Sequence, residues 1–411
     1  MENEMKERLL WHGILGNPQW NQPRMIYECD VEARPGYSTV IANEYEDEPN
    51  VLYEKIELLI YLLQQSSNCL LYTGAGISTS SGINDYATKS TTSKLNNGKK
   101  LTSHLAAQPT LAHRVLVSLY NLGLIKKWIQ QNHDGLPQKA GLPQHAINEI
   151  HGAWYDPTNP VVPMSGRLRD DLINDLIEWE EKTDLTIAIG TSMCGMNADR
   201  VFTTVSNKAC QYRRKEMKKI GRLITDPWNP HPRCKQLSST KPVPLGGVII
   251  GIQKTQHDSI ASLRIFANID HVMSIINNTL ELPPINMQIG YIPNIPIEYI
   301  RDTDVYYIPY NSHGYLLDSP NENKELWTIL NLQVGSQIVL TSGPYQGDYG
   351  TITKKTRGGH FKIECIHTLD YRKDKIVEPY CMEHNFGSWW IEAAVYGRIP
   401  QIPLRNVIKK K

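Results

Sequence analysis

Leu52, Ile56, Leu59, Ile60 and Leu63 recur every three or four residues along the chain. That period predicts an amphipathic helix from Val51 to about Gln64, with Asn50 placed to cap it. The apolar face is expected to pack against a sheet. Cys69 to Tyr72 is a short continuous apolar run, which is how a strand buried on both faces reads. Lys126 to Gln131, Leu185 to Ile189 and Gly247 to Ile252 read as three further strands. Pro109 suits the first turn of a helix running to Leu122, and Gly123 can close it. Leu172 to Trp179 and Ile269 to about Leu280 also read as helices. Strands alternating with helices predict an α/β fold with a doubly wound, parallel, Rossmann-like sheet.

The pattern changes further on. Ser90 to Ser103 is polar and reads as a loop, or as a lid. Leu282 to Pro309 turns to Pro, Ile, Tyr and Asn, which marks a boundary. Val334 to Ile366 alternates like short strands punctuated by Gly343, Gly347 and Gly350, predicting a small C-terminal β-barrel. The expected division is an N-terminal extension at 1–50, an α/β domain at 51–282, a linker at 283–327, and a small β domain with its tail at 328–411.

Bulk properties narrow the classes. At 411 residues the chain has room for two or three domains. A formal net charge of +1 gives no global field for nucleic acid or membrane. The seven cysteines are scattered and form no C-x-x-C pair, so reduced thiols and an intracellular location, cytoplasmic or nuclear, are expected. The first residues, M-E-N-E-M-K-E-R, are charged, and no apolar run is long enough to span a bilayer, so no membrane partner is expected.

Candidate chemistry centres on Thr73 to Tyr86, T-G-A-G-I-S-T-S-S-G-I-N-D-Y, directly after the first predicted strand. A strand ending in a glycine turn can present backbone N–H groups to a pyrophosphate. Gly74 and Gly76 allow close backbone approach without a Cβ. Three later segments join it: Pro109-Thr110-Leu111-Ala112-His113; Gln131-Asn132-His133-Asp134-Gly135-Leu136 with Ala140-Gly141 and Glu149-Ile150-His151-Gly152; and Asp184-Leu185 through Gly190-Thr191-Ser192.

In this order the segments resemble the sirtuins, the NAD-dependent protein deacylases. The first is similar to the family's G-A-G-x-S followed by G-I-P-D-F-R. The others are similar to P-T-x-x-H, to Q-N-I-D-G-L with A-G and E-L-H-G, and to D-L…G-T-S. Gln253 to Asp258 and Leu263 to Met273 resemble the closing strand and helix, so the likeness covers roughly residues 50 to 282. It implies NAD as cofactor and an acylated protein lysine as partner. It implies cofactor contacts at Gly74, Ala75, Gly76, Ser78, Asp85, Tyr86, Gln131, Asn132, His133, Asp134, Gly190, Thr191, Ser192 and Gln253.

The chemistry asks for little acid catalysis, because nicotinamide leaves neutral from a cationic ring. The enzyme must hold nicotinamide away from water and stabilise positive charge developing at the ribose. By resemblance, Asp134 accepts a hydrogen bond from the carboxamide, Asn132 bridges the ribose or a water, and His151 is the base on a ribose hydroxyl. His151 and Asn132 are thus the implied catalytic residues. Blander readings stand beside these: His133 as a polar substitution on a loop, Gly190-Thr191-Ser192 as only a turn, and His113 as a local cap or packing group.

Departures from the pattern qualify the activity. Ala87 stands where the family has an arginine, Asn84 where it has a proline, and Gly251-Ile252-Gln253 where it has N-L-Q. Ala153 to Pro160 holds no cysteine where two C-x-x-C pairs bind structural zinc, so no metal is expected there. Rival readings are an NAD glycohydrolase or ADP-ribosyltransferase, and a non-catalytic scaffold binding NAD or ADP-ribose. Arg213, Arg214, Lys215, Lys218 and Lys219 read as a solvated helix face or a docking surface. Gly343 to Ile352 resembles a KOW-type turn of an SH3-like barrel, which implies RNA or protein contact, with Tyr345 and Tyr349 available to stack on bases. Cys365-x-His367 and Cys381-x-x-His384 could in principle ligate zinc, but their spacing matches no strong template.

Overall fold

The computed structural model describes residues 10–33, 39–83, 103, 105–163, 166–219, 243–283, 293–295, 300–302, 304–319, 324–371 and 375–408. They form two compact units. The first takes its residues from Met1–Ser103, Pro109–Gln131 and Asp171–Asn286. The second takes them from His104–Gln108, Asn132–Asp170 and Met287–Lys411.

Five parallel strands organise the first unit: β1 Cys69–Thr73, β2 Lys127–Gln130, β3 Leu185–Ile189, β4 Gly246–Ile250 and β5 Leu263–Ile265. They lie in the order β2-β1-β3-β4-β5. All their residues are buried, as parallel strands covered on both faces require. The order departs in both directions from β1, so the crevice outside the carboxyl ends of β1 and β3 is a topological switch point. Thr73 pairs with Ile189 there, and both strands finish level.

Helices α1 Pro49–Gln65, α2 Leu111–Asn121, α3 Asp170–Lys182, α4 Arg200–Lys219 and α5 Ile269–Thr279 connect or flank these strands. Two expected starts shift. Helix α1 begins at Pro49 with Glu48 at its N-cap, so Asn50 lies inside the helix and is not the cap. A proline suits that first turn because its missing N–H needed no intrahelical partner. Helix α2 begins after Pro109, with Thr110 at the N-cap. Thr110 Oγ1 lies 2.8 Å from His113 Nδ1, and the reciprocal cap assigns His113 the local role anticipated for it. Arg213 is not on a wholly solvated face: its guanidinium donates to Leu245 O at 2.8 Å and Ser262 Oγ at 3.1 Å.

The α1 face that carries Leu52, Ile56, Leu59 and Leu63 also buries Lys55. Lys55 Nζ sits 2.6 Å from Asp47 Oδ1, and neither side chain is exposed. Phe266 N donates to the other Asp47 oxygen at 2.8 Å. Nearby, Arg264 is held by Asp258 at 3.0 Å. Charges within a core are retained only when paired in this way.

The second unit carries the C-terminal antiparallel sheet: β6 Gln337–Leu340, β7 Tyr349–Lys355, β8 Phe361–Asp370, β9 Lys375–Phe386 and β10 Leu404–Asn406. Their order is β9-β8-β7-β6-β10. A smaller three-stranded antiparallel sheet combines Ile300–Asp302, Val305–Ile308 and Thr328–Asn331. Tyr155, Ile308, Leu340, Ile363, Phe386 and Trp389 belong to one core cluster of this unit. Trp389 lies on helix α6, Ser388–Val395. Tyr345 is also in that cluster and only 2% exposed, which corrects its expected role as a base-stacking ring. Tyr349, by contrast, is 61% exposed.

Candidate functional site

The glycine turn and the loop after β3 form one backbone assembly. Gly74 N donates to Ile189 O at 3.1 Å, and Gly76 N donates to Gly190 O at 2.8 Å. The two amides therefore tie one turn to the other instead of standing open to a ligand. A Cβ on Gly76 would lie 2.7 Å from Gly190 Cα, and one on Gly190 would lie 2.6 Å from Ile77 N. Gly190 also has φ +59°, where a side chain is strained. These glycines are needed because two backbone segments touch. Gly190→Ala is accordingly expected to destabilise the fold by about 1–3 kcal/mol. Urea unfolding would measure it, and an unchanged midpoint would show that the turns can separate freely.

Other groups fix this arrangement. Gln131 Nε2 donates to Thr191 Oγ1 at 2.9 Å, so two residues expected at the site meet directly. Thr191 Oγ1 also accepts Met193 N at 3.2 Å. Ser78 is fully buried, and Thr110 Oγ1 lies 3.3 Å from Ile77 O. Gln253 is held through its backbone oxygen by Arg264. Sequence reasoning missed Asp199. Its Oδ1 accepts Tyr72 OH at 2.7 Å, while Oδ2 accepts Gly195 N and Met196 N at 2.8 and 2.9 Å. Asp199 thus fastens the loop that follows Ser192, and no spacing signal in the sequence marks it. Asp85 and Tyr86, with Asn84 and Ala87, lie outside the described residues.

Asn132, His133, Asp134 and His151 all fall in the second unit. Asp134 is buried, and its Oδ1 accepts Leu136 N, the first amide of the helical turn Leu136–Lys139, at 3.0 Å. His133 is no loose loop substitution. Its Nδ1 is 2.8 Å from Gly152 O. A carbonyl only accepts, so Nδ1 carries the proton, and burial pushes this imidazole below its ordinary pKa, against that bond and Asp134. His151 is half-buried and its carbonyl accepts Val162 N at 2.9 Å. Gly152 follows at φ +92°, where a Cβ would meet Pro160 O at 2.3 Å. The E-I-H-G stretch is therefore pinned on both sides of the histidine.

Two buried ionisable groups lie in the same unit. Lys139 Nζ lies 2.8 Å from Tyr155 OH and 3.2 Å from Ala107 O. Burial lowers this ammonium to about 8. Glu149 is pushed up from 4.5 to about 8, chiefly by burial, with bonds from Gln138 and Gln144 opposing. Between those values the folded state holds a proton that the unfolded state has released. Stability from this group is complete below about 4.5 and is lost as pH rises through about 8. Glu149→Gln should flatten that part of the pH–stability curve. Equal slopes in parent and variant would exclude Glu149 as its source.

No family model matches the chain. Individual proteins do. The NAD-dependent protein deacetylase SRT1 of Oryza sativa subsp. indica is 41% identical over 132 residues, covering 31% of this chain and 27% of that protein. The SRT1 deacetylase of Arabidopsis thaliana is 27% identical over 287 residues, covering 59% and 53%. Over these stretches the chain is similar to sirtuins. The mouse NAD-dependent protein deacetylase sirtuin-7 is 25% identical over 283 residues, covering 58% of this chain and 63% of that protein. The chain thus spans less than two thirds of each of these sirtuins. A solved Sir2 structure with a p53 peptide and NAD+ aligns over 55% of this chain and 98% of its own, at 20% identity and a TM-score of 0.40.

Proposed function

We propose that this chain is an NAD-dependent protein-lysine deacylase that releases nicotinamide. The observation that carries the reading is the ordered set of sirtuin-like motifs, one of which ends β1 at the sheet's switch point. Deacetylase names among the sequence relatives support it. In this reading Gly74, Ala75, Gly76, Ser78, Gly190, Thr191 and Ser192 serve the pyrophosphate and ribose end of NAD. Their packed backbone supplies a rigid wall. Gln131, Asn132, His133 and Asp134 serve the nicotinamide and its ribose, Gln253 serves the adenosine, and Asp85 and Tyr86 are assigned to the cofactor by their motif alone. His151 is the general base. The chain supplies orientation and a proton acceptor, and the labile N-ribosyl bond belongs to NAD.

A second reading, NAD hydrolysis or ADP-ribosyl transfer, is favoured by one sequence observation. Ala153 to Pro160 has no cysteine where the family's zinc module would stand. Incubation with NAD, with and without an acetyl-lysine peptide, separates these readings by product. Peptide-dependent nicotinamide release with O-acyl-ADP-ribose is the expected outcome. Peptide-independent release would replace deacylation by hydrolysis. NAD binding without turnover would leave a scaffold.

The C-terminal sheet is proposed as a contact module of KOW type for RNA or protein, now resting on exposed Tyr349 and Lys354. Among the described residues no helix is long and apolar enough to cross a membrane.

A further inference from the structure

Strands β8 and β9 bring three metal-ligating side chains together in the second unit. Cys365 and His367 are two apart on β8 and so share a face. His384 on β9 pairs with Ile363, two residues before Cys365, and presents to the same face. One ligand atom from each of Cys365, His367 and His384 lies within 4.8 Å of the others, and all three residues are buried. We propose that these three residues bind one divalent ion of the zinc class, and that Asp348 positions His367 for it.

The hydrogen bonding is what a ligand histidine requires. His367 Nδ1 is 2.7 Å from Asp348 Oδ2. A carboxylate on Nδ1 holds the proton there and leaves Nε2 with its lone pair outward, as metal-bound histidines are commonly arranged. That Nε2 faces His384 Nε2 at 2.7 Å. One proton is enough to bridge the two nitrogens, and a metal ion can take its place. Tetrahedral zinc with Zn–N near 2.0–2.1 Å sets ligand nitrogens about 3.3 Å apart. The pair therefore has to open by only about 0.6 Å, within reach of small ring rotations.

The surroundings are built around the cluster. Tyr345 stacks on the His367 ring with centroids 3.7 Å apart and presents an edge to His384 at 5.8 Å. These rings fix the imidazoles and keep water from their faces. A Cβ at Gly350 would stand 2.6 Å from Cys365 Sγ, so the glycine leaves space for the thiol. Two imidazole nitrogens and one sulfur suit a borderline-soft ion and not calcium or magnesium. Cys381 is not part of the set. It pairs with Ile366, is exposed, and lies on the opposite face of β9 from His384. The protein thus offers three ligands, and the fourth position falls to water.

Cobalt(II) reports such a site by colour. The full chain, stripped with a chelator and titrated with cobalt(II), is expected to bind one ion with a thiolate charge-transfer band and intense tetrahedral ligand-field bands, all displaced by zinc(II). Cys365→Ser should remove the charge-transfer band, and Cys381→Ser should leave it intact. Asp348→Asn should keep the spectrum but weaken binding about 10–100-fold. Absence of any thiolate–cobalt band in the parent chain would overturn the site and leave a hydrogen-bonded histidine pair. So would a band that survives Cys365→Ser or disappears with Cys381→Ser. The parent titration needs no variant to fold, so the test stands whatever the substitutions do.

Discussion

His151→Ala is expected to lower nicotinamide release by about 10²–10⁴-fold, the usual contribution of a positioned general base, while NAD still binds. The expectation rests on how the histidine is held. Its own carbonyl accepts Val162 N at 2.9 Å. Gly152 beside it adopts φ +92° against Pro160. Asn159 Nδ2 donates to Glu149 O at 3.1 Å, and Ala153 N donates to Asn159 O at 2.8 Å. These bonds hold the backbone on both sides of His151, so alanine is expected to remove the ring and leave the loop. The fall should appear in kcat with the NAD dissociation constant nearly unchanged, measured by single-turnover nicotinamide release and by calorimetry. Unchanged turnover would remove His151 from the mechanism. A collapse of NAD affinity would make it a binding residue instead.

Lys55→Ala should cost about 3–5 kcal/mol of folding stability, because it strands a buried carboxylate. Asp47 would keep its bond from Phe266 N at 2.8 Å but lose the ammonium at 2.6 Å. Burial lowers Lys55 to about 8 and raises Asp47, so desolvation outweighs mutual attraction for each group. The intact pair therefore adds little net stability, while half of it is costly. Lys55→Met with Asp47→Asn removes both charges, keeps an acceptor for Phe266 N, and should recover much of the loss. Urea denaturation of the two single variants and the double variant measures this. A double variant as unstable as the sum of the singles would contradict the desolvation argument.

Much of the fold was legible because parallel strands announce themselves. Cys69 to Tyr72 is apolar without interruption and Leu185 to Ile189 is broken only by Thr186, and the structure buries every residue of both strands. Helix ends were less legible. Asn50 and Pro109 carry local start signals, yet Pro49 opens the first helix and the local Thr110–His113 capping box opens the second. Lys55 was unreadable as a core residue, since its partner Asp47 is outside the helix and Phe266 is far along the chain. The glycines were found for a reason only half physical. Pattern pointed to phosphate, whereas the amides of Gly74 and Gly76 bind Ile189 and Gly190. Asp199 and the Asp348–His367–His384 chain depend on contacts between separate strands and loops, which no local spacing encodes. Tyr345 shows the converse error: a turn tyrosine near lysines looked exposed, but the sheet folds it inward over His367.

Direct titration tests whether this chain grips NAD. Calorimetry of the full chain with NAD and, separately, with ADP-ribose should give saturable one-to-one binding of both. Heats no larger than dilution for either molecule would contradict the account.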